Sequence, residues 1–220
     1  MSRSGGAPMP VALLHGAMRG PKGMLPTARA LEGAGFRARA FGYATRRRDL
    51  AGHAESLEAE LRAWLGSEGP EAIGLLTHSM GGLVARALLD RPSFRAWAPR
   101  QRMVMLAPPN QGSSLAQQLH DFPPFHWVYG RAAAELQPGP IARLAPPPDS
   151  CATLILVGGR GDSRGYNPLI AGDDDGVVAT ADTPLPGVSS EFVGGLHSTL
   201  QWRKDVLDRA ARFLGTSEAG

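Results

Sequence analysis

The sequence predicts an α/β protein: a mainly parallel sheet of about six strands, with helices on both faces. Two observations carry this. Short apolar runs, the length of buried strands, alternate with segments whose apolar residues recur at helical spacing, and the connections between them are mostly short. The residues that could do chemistry fall just after the apolar runs, where a parallel sheet gathers its working loops at one edge. At 220 residues the chain is expected to form one domain, 1–220, with a substantial core. Hydrophobic residues at 43% and charged residues at 20% are those of a globular chain rather than a disordered one.

The elements follow in order. Pro10 to Leu14 is a short buried strand that stops at His15-Gly16-Ala17-Met18. Pro26 to Ala34 is a helix ended by Gly35. From Phe36 to Tyr43, Phe36, Ala38 and Ala40 alternate with Arg37 and Arg39, which suits a strand with one face to solvent. Asp49 caps the next helix, in which Leu50, Ala54, Leu57, Leu61, Trp64 and Leu65 form one stripe and Gly66 is the stop. His53 in this helix is expected at the surface. Ala72 to Thr77 is a strand, and a helix follows it to about Arg91, where Pro92 interrupts. Arg102 to Leu106 and Thr153 to Val157 are two more buried strands. Glu191 to Val193 is a last short one. Ser198 and Gln201 have the spacing of a capping box for a final helix that buries Val206, Leu207, Ala210, Phe213 and Leu214. Between the fourth and fifth strands, the stretch 114–148 is rich in proline and aromatic residues and is expected to form a small cap over the strand ends.

The chain is organised around Thr77-His78-Ser79-Met80-Gly81-Gly82. A serine between a strand and a helix, with small residues beside it, has the geometry of a nucleophile elbow. Its hydroxyl is lifted clear of the sheet, and the N–H of the next residue and the positive end of the helix point at the same spot. A serine hydroxyl is a poor nucleophile at neutral pH. It needs a base within hydrogen-bond reach and a third group to orient that base. Ser79, an aspartate near 175 and His197 supply these, in that chain order. His78 is expected to be structural, its side chain turned away from the hydroxyl.

The matching pieces are Leu14-His15-Gly16, His78-Ser79-Met80-Gly81-Gly82, Pro108-Pro109-Asn110-Gln111-Gly112-Ser113, Asp175-Gly176-Val177-Val178 and Gly195-Leu196-His197-Ser198. Through them the chain resembles the α/β-hydrolase superfamily, and within it the small lipases and esterases. The sequence departs from the pattern at Thr77, where the family has glycine, and in a longer stretch between the fifth strand and the acid. The chain also begins at what would be the third strand of the full family fold, which fits a minimal sheet of about six. The resemblance implies an ester hydrolase with a covalent acyl-enzyme and no cofactor. It implies Ser79 as nucleophile, His197 as base, and the N–H groups of Met80 and of Ala17 or Met18 as oxyanion donors. The acid is assigned to Asp175, because Gly176-Val177-Val178 can anchor its loop, with Asp162 next and Asp173, Asp174 and Asp182 behind. His15, Phe122, Phe125 and Trp127 are the expected substrate-contacting side chains.

Other classes fit less well. Arg46-Arg47-Arg48 could touch nucleic acid, but no aromatic stacking pattern or recognition helix accompanies it, so no nucleic-acid partner is expected. No run approaches the roughly 20 apolar residues that span a bilayer. Cys151 is the only cysteine, which fits a reducing cytoplasm. His120 and His126 lack metal-ligand spacing to carboxylates or cysteine. Asp173-Asp174-Asp175 lacks the alternation of an EF-hand loop and is read as a solvated acidic turn, so no metal is expected. Two readings compete with ester hydrolysis: thioester hydrolysis or acyl transfer on the same machinery, and a non-catalytic binding protein on a hydrolase scaffold. The expected partner is a small-molecule ester; the oligomeric state is not readable.

Overall fold

The computed structural model describes residues 7–43, 45, 47–112 and 138–216. Within them, six strands form one sheet: β1 (Pro10–Leu14), β2 (Arg37–Phe41), β3 (Ala72–His78), β4 (Arg100–Leu106), β5 (Cys151–Val157) and β6 (Ser189–Phe192). Their order is β2-β1-β3-β4-β5-β6, and every pairing is parallel.

Side chains alternate across each strand, and this alternation sets the two cores. Ala12 and Leu14 of β1, Ile73 and Leu75 of β3, and Met103 and Met105 of β4 face one way. There they pack on helices α2 (Leu50–Leu65), α3 (Met80–Leu89) and α4 (Pro92–Trp97). Val11, Leu13, Leu76, Val104 and Leu106 face the other way, against α1 (Leu25–Gly33) and α6 (Lys204–Gly215). A short helix, α5 (Pro138–Ile141), precedes β5, and its Ile141 is buried in the first of these cores. The chain thus leaves β1 toward one face of the sheet and β3 toward the other. That divergence opens a crevice between the carboxyl ends of neighbouring strands.

All six strands form near where the sequence predicts strands, but β6 begins two residues before the expected Glu191 and is exposed along its length. The Asp49 cap forms as predicted: its Oδ1 accepts the N–H of Gly52 at 2.8 Å, and Gly66 ends α2 at φ 93°. Four readings are corrected. Pro92 does more than interrupt a helix, since it also opens α4, with the N–H it lacks falling where no helical partner exists. The Ser198–Gln201 capping box does not form. Leu200–Trp202 is a 3-10 turn instead, and α6 starts at Lys204 with no side-chain cap. His53 is buried, and its ring packs on that of Tyr43. The Asp173–Asp175 turn is not solvated: Asp174 and Asp175 are buried, their oxygens bonded to backbone N–H groups. Of the expected cap, 114–137 lies outside the described residues, and with it Phe122, Phe125, Trp127, His120 and His126.

Gly81 opens α3 directly over the end of β1. A Cβ there would stand 2.7 Å from the carbonyl oxygen of Leu14 and 2.8 Å from that of His15, neither of which can move aside. Gly33 in α1 has open space instead. Replacing a helical glycine by alanine ordinarily gains about 0.5–1 kcal/mol. The clash reverses the sign at Gly81, where Gly81→Ala should cost about 1–3 kcal/mol while Gly33→Ala is neutral or stabilising. Urea unfolding of the two variants checks this contrast.

Candidate active site

Ser79 sits between β3 and α3 at φ 54°, ψ −129°, a conformation that costs a non-glycine residue about 1–3 kcal/mol. It is held by its own N–H, donated to the carbonyl of Leu106 at 2.8 Å, and by its carbonyl, which accepts the N–H of Gly82 at 2.9 Å. Thr77 takes the place of a glycine without strain. It is a strand residue, fully buried, whose hydroxyl donates to the carbonyl of Val104 at 3.4 Å. The tight approaches fall on Gly81, and on Gly82, where a Cβ would meet Met105 at 2.6 Å.

The loop after β1 lies against this turn. A Cβ on Gly16 would stand 3.0 Å from both the Cβ of Ser79 and the Nδ1 of His78. Met18 beside it has φ 59° and an exposed side chain. Among the described residues no hydrogen bond is recorded for the N–H of Ala17 or Met18, and the N–H of Met80, at the first position of α3, has no helical partner.

His15 does not face outward. It is buried and stacked on Tyr43, with ring centroids 4.3 Å apart and planes 5° apart. Its Nδ1–H donates to the carbonyl of Gly16 at 2.8 Å, and its Nε2 accepts the N–H of Tyr43 at 3.4 Å. The Tyr43 hydroxyl donates to the carbonyl of His15. The expected substrate contact is therefore an internal brace, with its neutral tautomer fixed from both sides.

The structure brings His197 and Asp175 together. His197 Nδ1 lies 2.7 Å from Asp175 Oδ2, and both residues are buried. Facing a carboxylate, Nδ1 carries the proton, which leaves Nε2 with a free lone pair. Asp175 Oδ1 accepts the N–H groups of Val177 and Val178 at 3.0 and 2.8 Å, and the Asp175 carbonyl accepts the N–H of His197 at 2.8 Å. The alternative acids are engaged elsewhere. Asp162 bonds the N–H groups of Arg164 and Gly165, Asp173 those of Arg160 and Gly161, and Asp174 those of Asn167 and Gly176. Asp182 lies in a 3-10 turn, Thr180–Asp182, whose last carbonyl accepts the N–H of Gln111. Among the described residues no cluster of three or more histidine, cysteine or carboxylate side chains is arranged to hold a metal.

The Pro-Pro-Asn loop is tied down by a residue that periodicity could not single out. Arg86 of α3 is buried. Its guanidinium donates to Asn110 Oδ1 at 3.1 Å, to the Ala145 carbonyl at 3.1 Å and to the Leu144 carbonyl. Burial lowers its pKa to about 10.

With this geometry in view, comparison with known proteins is informative about the fold. No family model and no curated protein sequence matches the chain. Solved structures do. Bacillus licheniformis lipase BlEst2 in its mature form aligns at TM-score 0.68 and 18% identity, over 87% of this chain and 85% of that one. In the propeptide form of the same lipase the match covers 96% of this chain but 51% of that one. The metagenomic carboxyl esterase MGS0156 aligns at 0.67 and 19%, over 88% of this chain and 66% of that one. The NocB thioesterase domain, solved in covalent complex with a fluorophosphonate nocardicin G analogue, aligns at 0.59 and 20%, over 94% and 95%. The chain has the α/β-hydrolase fold and is similar in structure to lipases, esterases and thioesterases. No helix among the described residues is long and apolar enough to cross a membrane.

His15, His53 and His78 all have their pKa lowered, by burial first. For His78 the charges of His197, Arg19 and His15 act in the same direction. Each is neutral when folded and takes up a proton on unfolding once the pH drops below about 6.5. Stability should therefore be level above that value and fall on acidification, by up to about 1.4 kcal/mol per pH unit for each histidine. Urea unfolding between about pH 7.5 and 5 measures the slope. His53→Gln, remote from Ser79 in sequence although its ring packs on Tyr43, should make it shallower.

Proposed function

We propose that this protein is a serine hydrolase that cleaves carboxylic esters of short to medium acyl length, with Ser79, His197 and Asp175 as its triad. The observation that carries the reading is the buried His197–Asp175 hydrogen bond at 2.7 Å. It stands on the loop ends of a sheet whose neighbouring elbow holds Ser79 in a strained conformation. The Nδ1 proton is committed to Asp175, so Nε2 is the nitrogen free to take a proton. Ser79 Oγ attacks the ester carbonyl as Nε2 accepts its proton. The N–H groups of Met80 and of Ala17 or Met18 receive the negative charge on oxygen. One such donor is worth about 3–4 kcal/mol. His197 then protonates the leaving alcohol, and water activated by the same nitrogen releases the acid. The unit on this reading is one α/β-hydrolase domain.

Thioester hydrolysis is the second reading, supported by the likeness to the NocB thioesterase domain. A screen of p-nitrophenyl esters of rising chain length, with acyl-CoA alongside, separates the two by relative kcat/KM.

A fluorophosphonate probe should label the native protein at Ser79, located by peptide mass spectrometry. Ser79→Ala should lose both labelling and turnover while melting as a folded protein. A folded, unlabelled wild-type chain would point to the non-catalytic reading. Asp175→Asn should lower kcat by orders of magnitude; in a serine protease the equivalent change costs about 10⁴. The same substitution at Asp162, whose carboxylate is bonded to Arg164 and Gly165, should leave kcat within a few-fold, and the reverse ranking would move the acid to Asp162.

A further inference from the structure

His78 closes β3 immediately before Ser79 and is buried. Its Nε2 lies 2.9 Å from the carbonyl oxygen of His197, across 119 residues of sequence, and the two rings pack with centroids 4.6 Å apart. A carbonyl only accepts, so Nε2 carries the proton and Nδ1 is bare. That Nδ1 has no partner among the described residues and faces Gly16.

We propose that His78 is a positioning residue for His197: its Nε2–H pins the main chain of residue 197, so that the imidazole held by Asp175 keeps its free nitrogen turned to Ser79. The inference rests on the triad reading above and deepens it. His197 follows Gly194 at φ 62° and Gly195 at φ 89°, whose backbone is tied to Val157, to Gly159 and to the Arg203 guanidinium but not to β3. Three bonds hold His197 itself. Its N–H goes to the Asp175 carbonyl, its Nδ1–H to the Asp175 carboxylate, and its carbonyl accepts from His78. The first two come from one residue on the acid loop. The third comes from the strand that carries Ser79, so it alone ties the base to the nucleophile's own element. A neutral donor is required here, because a cation at this position would oppose the imidazolium that His197 becomes during the reaction.

The test compares His78→Met, which fills the space without a donor, with His78→Gln, whose amide can return an N–H toward the same carbonyl. The readouts are kcat and KM on a short p-nitrophenyl ester and the rate of fluorophosphonate labelling at Ser79. His78→Met should lose about 10- to 100-fold in kcat and in labelling rate with KM changed less than about threefold, the pattern of a misplaced base. His78→Gln should recover to within about threefold of wild type. Should His78→Met fail to fold, His78→Asn, too short to reach, takes its place with the same expectation. Wild-type kcat in the donor-free variant, a loss confined to KM, or a His78→Gln as impaired as His78→Met would each overturn the inference and leave the triad standing. A wild-type protein that the probe does not label overturns the triad reading and this inference with it.

Discussion

The close approach of the first turn of α3 to the carboxyl end of β1 is the contact on which the arrangement depends. Backbone oxygens of Leu14 and His15 occupy the volume a side chain at 81 would need, and Ser79 and His78 crowd Gly16 from the other side. With α3 that near β1, the chain between β3 and α3 turns through the strained conformation of Ser79. The strain of about 1–3 kcal/mol is small against what the approach secures. Leu83, Val84 and Leu88 of α3 are fully buried, each contributing about 1.5–3 kcal/mol in transfer alone. Packing therefore wins over the local conformational preference, and the serine is held up at the sheet edge as a consequence.

The crevice at that edge is built by topology and then braced by histidines. β1 sends its chain to one face of the sheet and β3 to the other, so Gly16 and Ser79 meet where the two paths part. The loop after β1 would otherwise be free to follow its own chain toward α1. The stacked His15 and Tyr43, with the phenol bonded to the His15 carbonyl, fasten it to the end of β2. His78 fastens the loop before α6 to β3. Both braces use imidazole as a neutral ring with fixed donor and acceptor sides, which burial enforces.

The legible parts of the sequence are those where one physical pattern dominates. The central strands β1, β3, β4 and β5 declare themselves as short apolar runs between polar breaks, because a buried parallel strand is apolar on both faces. In contrast, β2 shows only as an alternation and the exposed β6 has no apolar run. Asp49 and Gly66 marked the ends of α2 because capping is local chemistry. The elbow was readable at Ser79 despite Thr77, since the crowding falls at Gly81 and Gly82, downstream of the substituted position. What stayed hidden is decided by contacts distant in sequence. His53, three residues after Leu50 and four before Leu57, sits at the edge of the aliphatic stripe, and its ring packs on Tyr43, a neighbour distant in sequence. Ser198 and Gln201 satisfy the spacing of a capping box, yet the chain spends Leu200–Trp202 on a 3-10 turn, and Leu200 is buried there. The bond from His78 to His197 joins residues 119 apart and has no local signature. The acidic turn misled for a similar reason. Three adjacent aspartates suggest solvent, but Asp173 and Asp174 bind N–H groups of Arg160, Gly161 and Asn167, which the fold brings to the turn. Asp174 and Asp175 also bind those of the next residues, Gly176, Val177 and Val178.

That turn also bears on why a carboxylate is buried at 175 at all. Taking an ionised carboxylate out of water costs several kcal/mol, and a buried ion pair is weak evidence for stability, because an apolar replacement of similar volume often serves as well or better. Asp175 has the N–H groups of Val177 and Val178 on one oxygen and His197 on the other. These donors make the burial tolerable without turning it into a gain. Stability alone therefore gives little reason for an acid here. The arrangement does fix two things an apolar side chain could not: the tautomer of His197 and the direction of its free nitrogen. Asp173 and Asp174, spent wholly on backbone N–H groups, hold the loop in shape around it. The three acids thus divide the work, two folding the loop and the third spending its second oxygen on a ring whose orientation matters only if that ring has a proton to move.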